Sequence, residues 1–388
     1  MTWSLFNIWQ QAHHDCKNIL AHLRTDIYLG NPPTIAYLNG ETRPMKKNLT
    51  LLILFLLLQA CVASPSSDSV TSEYFDNTGR SDVLSGGVQL IPIETPNGTF
   101  RVWTKRVGNN PTIKVLLLHG GPGATHEYFE AFDSYFPGAG IEYYYYDQLG
   151  SEFSDQPYAP ESWEIPRFVN EIEQVRVALG LDADNFYLLG HSWGGTLAIE
   201  YALAHQDNLK GLIISNMMAS IPAYNEYANN TLMASMDPAV LNEINALEAA
   251  EDYANPRYME LLVPNHYVHH VLRMAPEDWP DPVNRAFAHI NADIYVPMQG
   301  PSELGASGKL VEWDRTRELS KIHVPTLVIG AEHDTMDPAH MEWMAGALPN
   351  GQYLYCPNGS YMAMYDDQET YVDGVIQFVQ GVDESSER

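Results

Sequence analysis

Between Asn185 and His205 the chain reads NFYLLGHSWGGTLAIEYALAH, an apolar run that passes through a tight glycine-bracketed turn straight into a pattern with helical spacing. A run this short, apolar at successive positions, is a strand buried on both faces. A helix that follows without a linker must fold back over the sheet that strand joins. Such a unit commits the chain to a largely parallel sheet covered by helices. The same rhythm recurs on either side. VQLIPIE and FRVWTKRV read as a hairpin across Pro96, Asn97 and Gly98, and TIKVLLLHG and IEYYYYDQ as short buried strands. WEIPRFVNEIEQVRVALGL has helical spacing, and LKGLIIS is a further strand.

The rhythm stops between residues 217 and 319, where the chain is long, helical in pattern and rich in aromatics and methionine. It resumes with VPTLVIG, a helix near PAHMEWMAGAL, the strand QYLYC and the helix QETYVDGVIQFV. Two strands and two helices cannot close a core alone. The expected organisation is therefore one α/β core over 86–216 and 320–381, with 217–319 inserted as a helical cap.

Upstream, MKKNLTLLILFLLLQAC at 45–61 places two lysines, an apolar run from Leu49 to Leu58 and small residues in the order of a secretory signal peptide. The run is short for a membrane span. Its end, Leu-Gln-Ala-Cys, resembles the lipobox of bacterial lipoproteins, which implies that Cys61 carries lipid. Residues 1–44 precede a signal that begins at its own methionine, Met45, and are read as an upstream extension misassigned to the chain. Residues 61–85, rich in Ser, Asp and Thr, are read as a flexible tether. The expected location is a bacterial cell envelope, periplasm or outer membrane, with the membrane reached through the lipid anchor only.

The formal charge is −28 over 388 residues, and residues 61–388 alone carry −30, with 16 Lys and Arg against 46 Asp and Glu. Such a field repels phosphate backbones, so nucleic acid is not an expected partner. Of the three cysteines, Cys16 lies upstream and Cys61 is the lipid position. Cys356 is then alone, with no internal disulfide to form. No metal site is read: His13 and His14 precede the signal, and His269 and His270 have no ligand partner at a recognisable spacing. No cofactor is implied.

GHSWGG at 190–195 is Gly-x-Ser-x-Gly between a strand and a helix, the context of a nucleophile elbow with Ser192 as nucleophile. HGGPG at 119–123 follows an earlier strand, and a glycine-rich turn there can aim the Gly121 amide at a developing oxyanion, with the Trp193 amide as second donor. Asp334, just after a strand, can orient a base. Asp337, directly before Pro338, reads instead as a helix N-cap.

With YYDQLGSEFS, IYVPMQGPSE at 294–303, the WD at 313–314, GAEHDTMDP and NGSYMAMYDD, these motifs resemble the prolyl aminopeptidase (proline iminopeptidase) family of α/β-hydrolases from about Gly87 to Val379. The resemblance implies an α/β-hydrolase fold with a helical cap, and short peptides with a free N-terminal proline as substrates. It makes Ser192 the nucleophile, Asp334 the acid of the triad, Gly121 and Trp193 the oxyanion donors, and Glu303 the holder of the substrate amine. The chain departs from the family in DQLGSEFS, where Leu149 and Glu152 replace an arginine and a glycine. It departs again at position 361, where the family's catalytic histidine is Tyr361.

A phenol has a pKa near ~10 against ~6.5 for imidazole, so at neutral pH it takes no proton from serine. The expectation is a lipid-anchored serine aminopeptidase of prolyl type with strongly impaired turnover. The alternative is a peptide-binding envelope lipoprotein that keeps the pocket without catalysis. An esterase of the same fold gives Glu303 no task, and an aspartate-nucleophile hydrolase is excluded by Ser192. His191, His333, His266, His269 and His270 are the other histidines considered as substitutes for the base.

Overall fold

The computed structural model describes residues 73–386. Cys61, the apolar run 49–58 and the extension 1–44 lie outside the described residues. Eight strands form one sheet: β1 (Val88–Thr95), β2 (Gly98–Val107), β3 (Lys114–Leu118), β4 (Glu142–Asp147), β5 (Phe186–His191), β6 (Gly211–Ser215), β7 (Thr326–Ala331) and β8 (Gly351–Cys356). Their order is β1-β2-β4-β3-β5-β6-β7-β8. The β1/β2 hairpin and the β2/β4 pair are antiparallel, and every pair from β4 onward is parallel. This is an α/β-hydrolase fold. Every residue of β4, β5, β6 and β7 is buried, which is why these strands read as unbroken apolar runs rather than as alternation.

The four tyrosines 143–146 of β4 are the exception in composition, and each hydroxyl needs a partner where it is buried. Side chains alternate across a strand, and the partners alternate with them. Tyr143 and Tyr145 both donate to Asp133, the latter at 2.6 Å, while Tyr144 donates to Glu142 and Tyr146 to Glu171.

Helices α1 (Ile165–Leu179) and α2 (Trp193–His205) cover the sheet. Between β6 and β7 no strand occurs among the described residues. The segment holds α3 (Ile221–Tyr227), α4 (Pro238–Ala249), α5 (Pro256–Leu262), a π-helical stretch Val263–Val271, α6 (Asp281–Ala288) and α7 (Ala292–Met298). After β7 come α8 (Pro338–Ala347), α9 (Ala363–Asp366) and α10 (Gln368–Ser386). Asp337 does cap α8, its carboxylate accepting from the Ala339 amide at 3.0 Å. None of the described helices is long and apolar enough to cross a membrane.

The stretch expected to be a flexible tether, 61–85, departs from that reading in its second half. Tyr74 is buried and its hydroxyl donates to the Ile141 carbonyl at 2.9 Å. Asp82 receives two hydrogen bonds, 2.9 and 2.7 Å, from the Arg106 guanidinium, with both side chains buried. Polar composition made this segment look solvated, but one aromatic ring and two ion pairs, Asp82–Arg106 and Arg80–Glu142 at 2.9 Å, fasten it to β2 and the start of β4.

Candidate functional site

The turn from β5 to α2 holds Ser192 at φ 58°, ψ −127°, a conformation that costs a non-glycine residue on the order of 1–3 kcal/mol and survives only where the surroundings enforce it. Two glycines allow the turn. A Cβ on Gly190 would lie 2.0 Å from the Gly194 carbonyl oxygen, and one on Gly194 would lie 2.0 Å from that of Leu118. The Ser192 amide donates to Ser215 in β6 at 3.1 Å, which ties the turn to the neighbouring strand.

The HGGPG turn leaves the end of β3 beside it. A Cβ on Gly120 would stand 3.2 Å from Ser192 Oγ, so this backbone packs directly on the serine side chain. Gly121 adopts φ 107°. Among the described residues, neither the Gly121 amide nor the Trp193 amide meets a backbone or side-chain acceptor of the protein. Two unengaged N–H groups thus flank the serine, as an oxyanion site requires.

Asp334 follows β7 and is completely buried. One of its oxygens accepts from the Met336 amide at 3.0 Å, the other from the Asn216 side-chain amide at 2.6 Å. The same Asn216 amide reaches the Ser360 carbonyl at 3.4 Å, and the His333 amide donates to Gly359 at 3.1 Å, so the acid lies alongside the loop that carries Tyr361. All of its partners are neutral, and burial pushes its carboxyl up to about 7.

The backbone of Tyr361 is held from two sides. Its amide donates to the His270 carbonyl at 3.1 Å, and its carbonyl accepts from His191 Nε2 at 2.9 Å. Its ring is buried, 4.7 Å between centroids from that of His191. The hydroxyl stands within interaction reach of the Ser192 hydroxyl and of the Glu303 carboxyl. Burial and the nearby Glu303 charge hold the phenol well above its ordinary range. It makes no hydrogen bond to Asp334, whose oxygens are satisfied elsewhere.

The other histidines are committed. His191 Nε2 donates to the Tyr361 carbonyl, so its Nδ1 is the acceptor of the Tyr128 hydroxyl at 3.1 Å, and that hydroxyl in turn accepts from the Gly120 amide at 2.7 Å. Burial moves His191 down to about 4. His266 Nε2 donates to the Glu303 carbonyl at 3.0 Å and His270 Nδ1 to the His333 carbonyl at 3.1 Å, while His269 is exposed. The backbone of His333 pairs with the 359–361 loop, but its ring makes no hydrogen bond to Ser192.

Glu303, also buried, accepts from the Tyr295 hydroxyl at 2.5 Å, and burial raises its pKa. No cationic side chain pairs with it among the described residues. With Tyr295, Tyr361 and the Gly120–Gly121 turn it lines a cavity of about 50 Å³ whose apolar lining includes Val283, Ala286, Phe287 and Ile290. Among the described residues no group of three or more His, Cys, Asp or Glu side chains is placed to hold a metal ion.

Sequence reasoning singled out Ser192, Gly121, Trp193, Glu303, Asp334 and Tyr361. Gly120 packs on Ser192; Gly121, Glu303 and Tyr361 line one cavity; and Asp334 lies alongside the loop at 359–361 without a bond to the Tyr361 side chain. It missed Tyr295, although IYVPMQGPSE contains it, and it missed Tyr128 and Asn216, for which no local pattern exists. Of the two departures in DQLGSEFS, Leu149 is buried and Glu152 is exposed.

A family model described as the α/β hydrolase fold matches residues 114–367. The proline iminopeptidase of Flavobacterium johnsoniae is 57% identical over 295 residues, 76% of this chain and 99% of that protein. That of Elizabethkingia meningoseptica is 56% identical over 299 residues, again 76% and 99%. Among solved structures, the proline iminopeptidase of Mycobacterium smegmatis aligns with a TM-score of 0.66 at 27% identity, over 77% of this chain and 99% of that one. The chain belongs to the proline iminopeptidase family of α/β-hydrolases.

Proposed function

We propose that the pocket receives the amino-terminal residue of a short peptide, proline by family, and that the chain is a prolyl-type serine aminopeptidase whose hydrolytic step is held back by Tyr361. The observation that carries this reading is Glu303. A carboxylate buried without a cation costs several kcal/mol, and the ammonium of a peptide N-terminus supplies the missing charge in hydrogen-bonding geometry. The apolar wall of Val283, Ala286, Phe287 and Ile290 suits a pyrrolidine ring beside it. A scissile carbonyl next to Ser192 would then meet the amides of Gly121 and Trp193, and the developing oxyanion would be held by both.

What this arrangement lacks is a proton acceptor for Ser192. Tyr361 is a phenol above its ordinary pKa, both ring nitrogens of His191 are engaged, and Asp334 faces neutral amides. Losing one triad member costs roughly 10⁴ to 10⁶ in turnover, with about 10³ over water left to the oxyanion site and binding. The second reading, a binding protein without catalysis, is favoured by Tyr361 lining the same cavity as Glu303, where a ligand's N-terminus competes with the phenol for that carboxylate. The signal-like segment and Cys61 support a lipid-anchored location in a bacterial envelope, periplasm or outer membrane.

Calorimetric titration with Pro-Gly and N-acetyl-Pro-Gly tests the pocket. Glu303→Gln is expected to weaken Pro-Gly by roughly 1.5–3 kcal/mol, the range for a hydrogen bond to a charged group, and to leave the acetylated peptide unchanged. Equal losses for both peptides would remove the amine from Glu303. Turnover of prolyl-naphthylamide by the wild-type chain then separates a slow enzyme from a binding protein.

A further inference from the structure

The cap helix α6 supplies three of the apolar residues that line the cavity with Glu303, Val283, Ala286 and Phe287, and its attachment to the core is charged rather than apolar at one point. Glu127, in the helical turn that follows HGGPG, is buried and presents both carboxylate oxygens to the cap. One oxygen pairs with the Arg285 guanidinium, and the other accepts from His289 Nδ1 at 2.7 Å. The Thr125 hydroxyl donates to the same second oxygen at 2.9 Å. Arg285 also reaches Glu130 of the core at 2.6 Å and Asp281 of its own helix at 2.7 Å. Of the ionisable groups among these, Glu127 alone is buried, beside the buried Thr125. Asp281 is exposed, and Arg285, Glu130 and His289 are each about one-third exposed.

The segment that follows α6 lands on the turn that carries Gly121. The Asn291 amide donates to the Gly123 carbonyl at 2.8 Å, and its side chain donates to the Gly150 carbonyl at 2.8 Å. A Cβ on Gly123 would come within 3.1 Å of the Asn291 carbonyl oxygen, so no space separates the two. The wall of the pocket and the candidate oxyanion turn are therefore fastened to each other next to a buried carboxylate. Removing the Arg285 guanidinium and the His289 hydrogen bond from such a group leaves a buried carboxylate without its partners, and the cap cannot lift from the core without doing so.

We propose that Glu127 is a positioning residue for the pocket: its carboxylate is the core half of a charge clasp with Arg285 and His289 that holds α6 against the turn bearing Gly121. The clasp sets how often the apolar wall opens, and so how fast an N-terminal residue enters and leaves. This last consequence rests on the reading of the pocket as a peptide site; the clasp itself does not.

Hydrogen–deuterium exchange of the full chain tests it without any ligand. In Glu127→Gln the amides of 281–298 are expected to exchange about tenfold faster or more, as local opening without global unfolding does, while those of β3, β5 and β6 stay at wild-type rates. Arg285→Met, at a partly exposed position that tolerates the change, should give the same local pattern should Glu127→Gln destabilise the whole core. Unchanged exchange at 281–298 in both variants overturns the proposal. Failure of Pro-Gly to bind wild-type protein would count against the peptide reading alone, because the exchange result decides the clasp by itself.

Discussion

Replacing Tyr361 by histidine tests the account of the site most directly. The backbone that would present the imidazole is already fixed by His270 at 3.1 Å and His191 at 2.9 Å, and neither bond involves the side chain at 361. Imidazole is smaller than phenol, so the substitution enters without overpacking, and it vacates space in the cavity that Tyr361 lines with Glu303. Asp334 lies alongside, linked to the same loop through Asn216. A triad member is worth roughly 10⁴ to 10⁶ in turnover where geometry is ideal. Allowing for an Asp334 that must leave a 2.6 Å bond to Asn216, a gain of about 10² or more is expected, or roughly 2.7 kcal/mol of barrier at 1.36 kcal/mol per decade. The assay is release of naphthylamine from prolyl-naphthylamide, with Ser192→Ala in the same background as control. A folded revertant with no gain, or a wild type that already matches it, refutes the reasoning.

The same variant has a signature in stability. Asp334 sits at about 7 in the folded chain and near ~3.9 when unfolded. Between those values the folded state holds a proton that the unfolded state has released. The contribution of this one group to stability is therefore highest below about pH 4 and falls as pH rises through about 7, beyond which it is flat, with a ceiling of about 4 kcal/mol for three pH units. An imidazolium beside Asp334 lowers its pKa, so Tyr361→His should shrink the decline between urea midpoints at pH 4.5 and pH 8. An undiminished decline would mean that the imidazole does not reach Asp334, whatever the activity.

Asp334→Asn in the wild-type chain should flatten the same pH dependence and raise the urea midpoint at pH 8, and a lower midpoint there would show that the buried carboxylate is not a burden. Asp82→Ala should cost about 3–5 kcal/mol by leaving the Arg106 guanidinium buried without its partner; urea unfolding that shows a loss under 1 kcal/mol would mean that residues 73–85 contribute little to the fold. Cys61→Ala should leave the product unprocessed or soluble in cell fractionation, and peptides from residues 1–44 should be missing from the native protein by mass spectrometry. A membrane fraction unchanged by the mutation, or recovery of those peptides, would remove the corresponding reading.

The parts of this molecule that were legible in the sequence are those whose physics is local. Strands buried on both faces write apolar runs such as KVLLL and GLIIS, and the elbow writes its glycines because a Cβ at 190 or 194 would collide with backbone. Asp337 was readable as a cap because the proline after it fixes the start of α8. What could not be read joins distant positions. Glu127 and Arg285 are 158 residues apart, and nothing in either neighbourhood announces the other. Tyr128 reads as one more aromatic in a helix-like stretch, yet its hydroxyl links Gly120 to His191 and its carbonyl accepts from Tyr365 at 2.8 Å. The direction of the Tyr361 ring was equally hidden. The sequence places a tyrosine where the resemblance implies a histidine, and only the packing shows that ring lining the same cavity as Glu303.

That direction separates two ways in which a hydrolase site can lose its base. A site that has drifted would be expected to fill the vacated volume with apolar side chains and to lose the polar groups that only the base required, since buried unpaired carboxylates cost free energy without return. Here the reverse holds. Asp334 remains buried among neutral donors, Glu303 remains buried without a cation, the amides of Gly121 and Trp193 remain without acceptors, and the loop at 361 is still clamped through main-chain groups alone. The buried carboxylates and the unpaired amides cost folding free energy and have value when a ligand or a base completes them, whereas the clamp on 361 is made of satisfied main-chain hydrogen bonds. All of them are compatible with a single side-chain change, because the clamp on residue 361 uses its amide and carbonyl and is blind to what it carries. On the proposed reading, the pocket's demand for a cation rests on Glu303 and the serine's demand for a base rests on residue 361, so the two are separable properties that Glu303→Gln and Tyr361→His test independently.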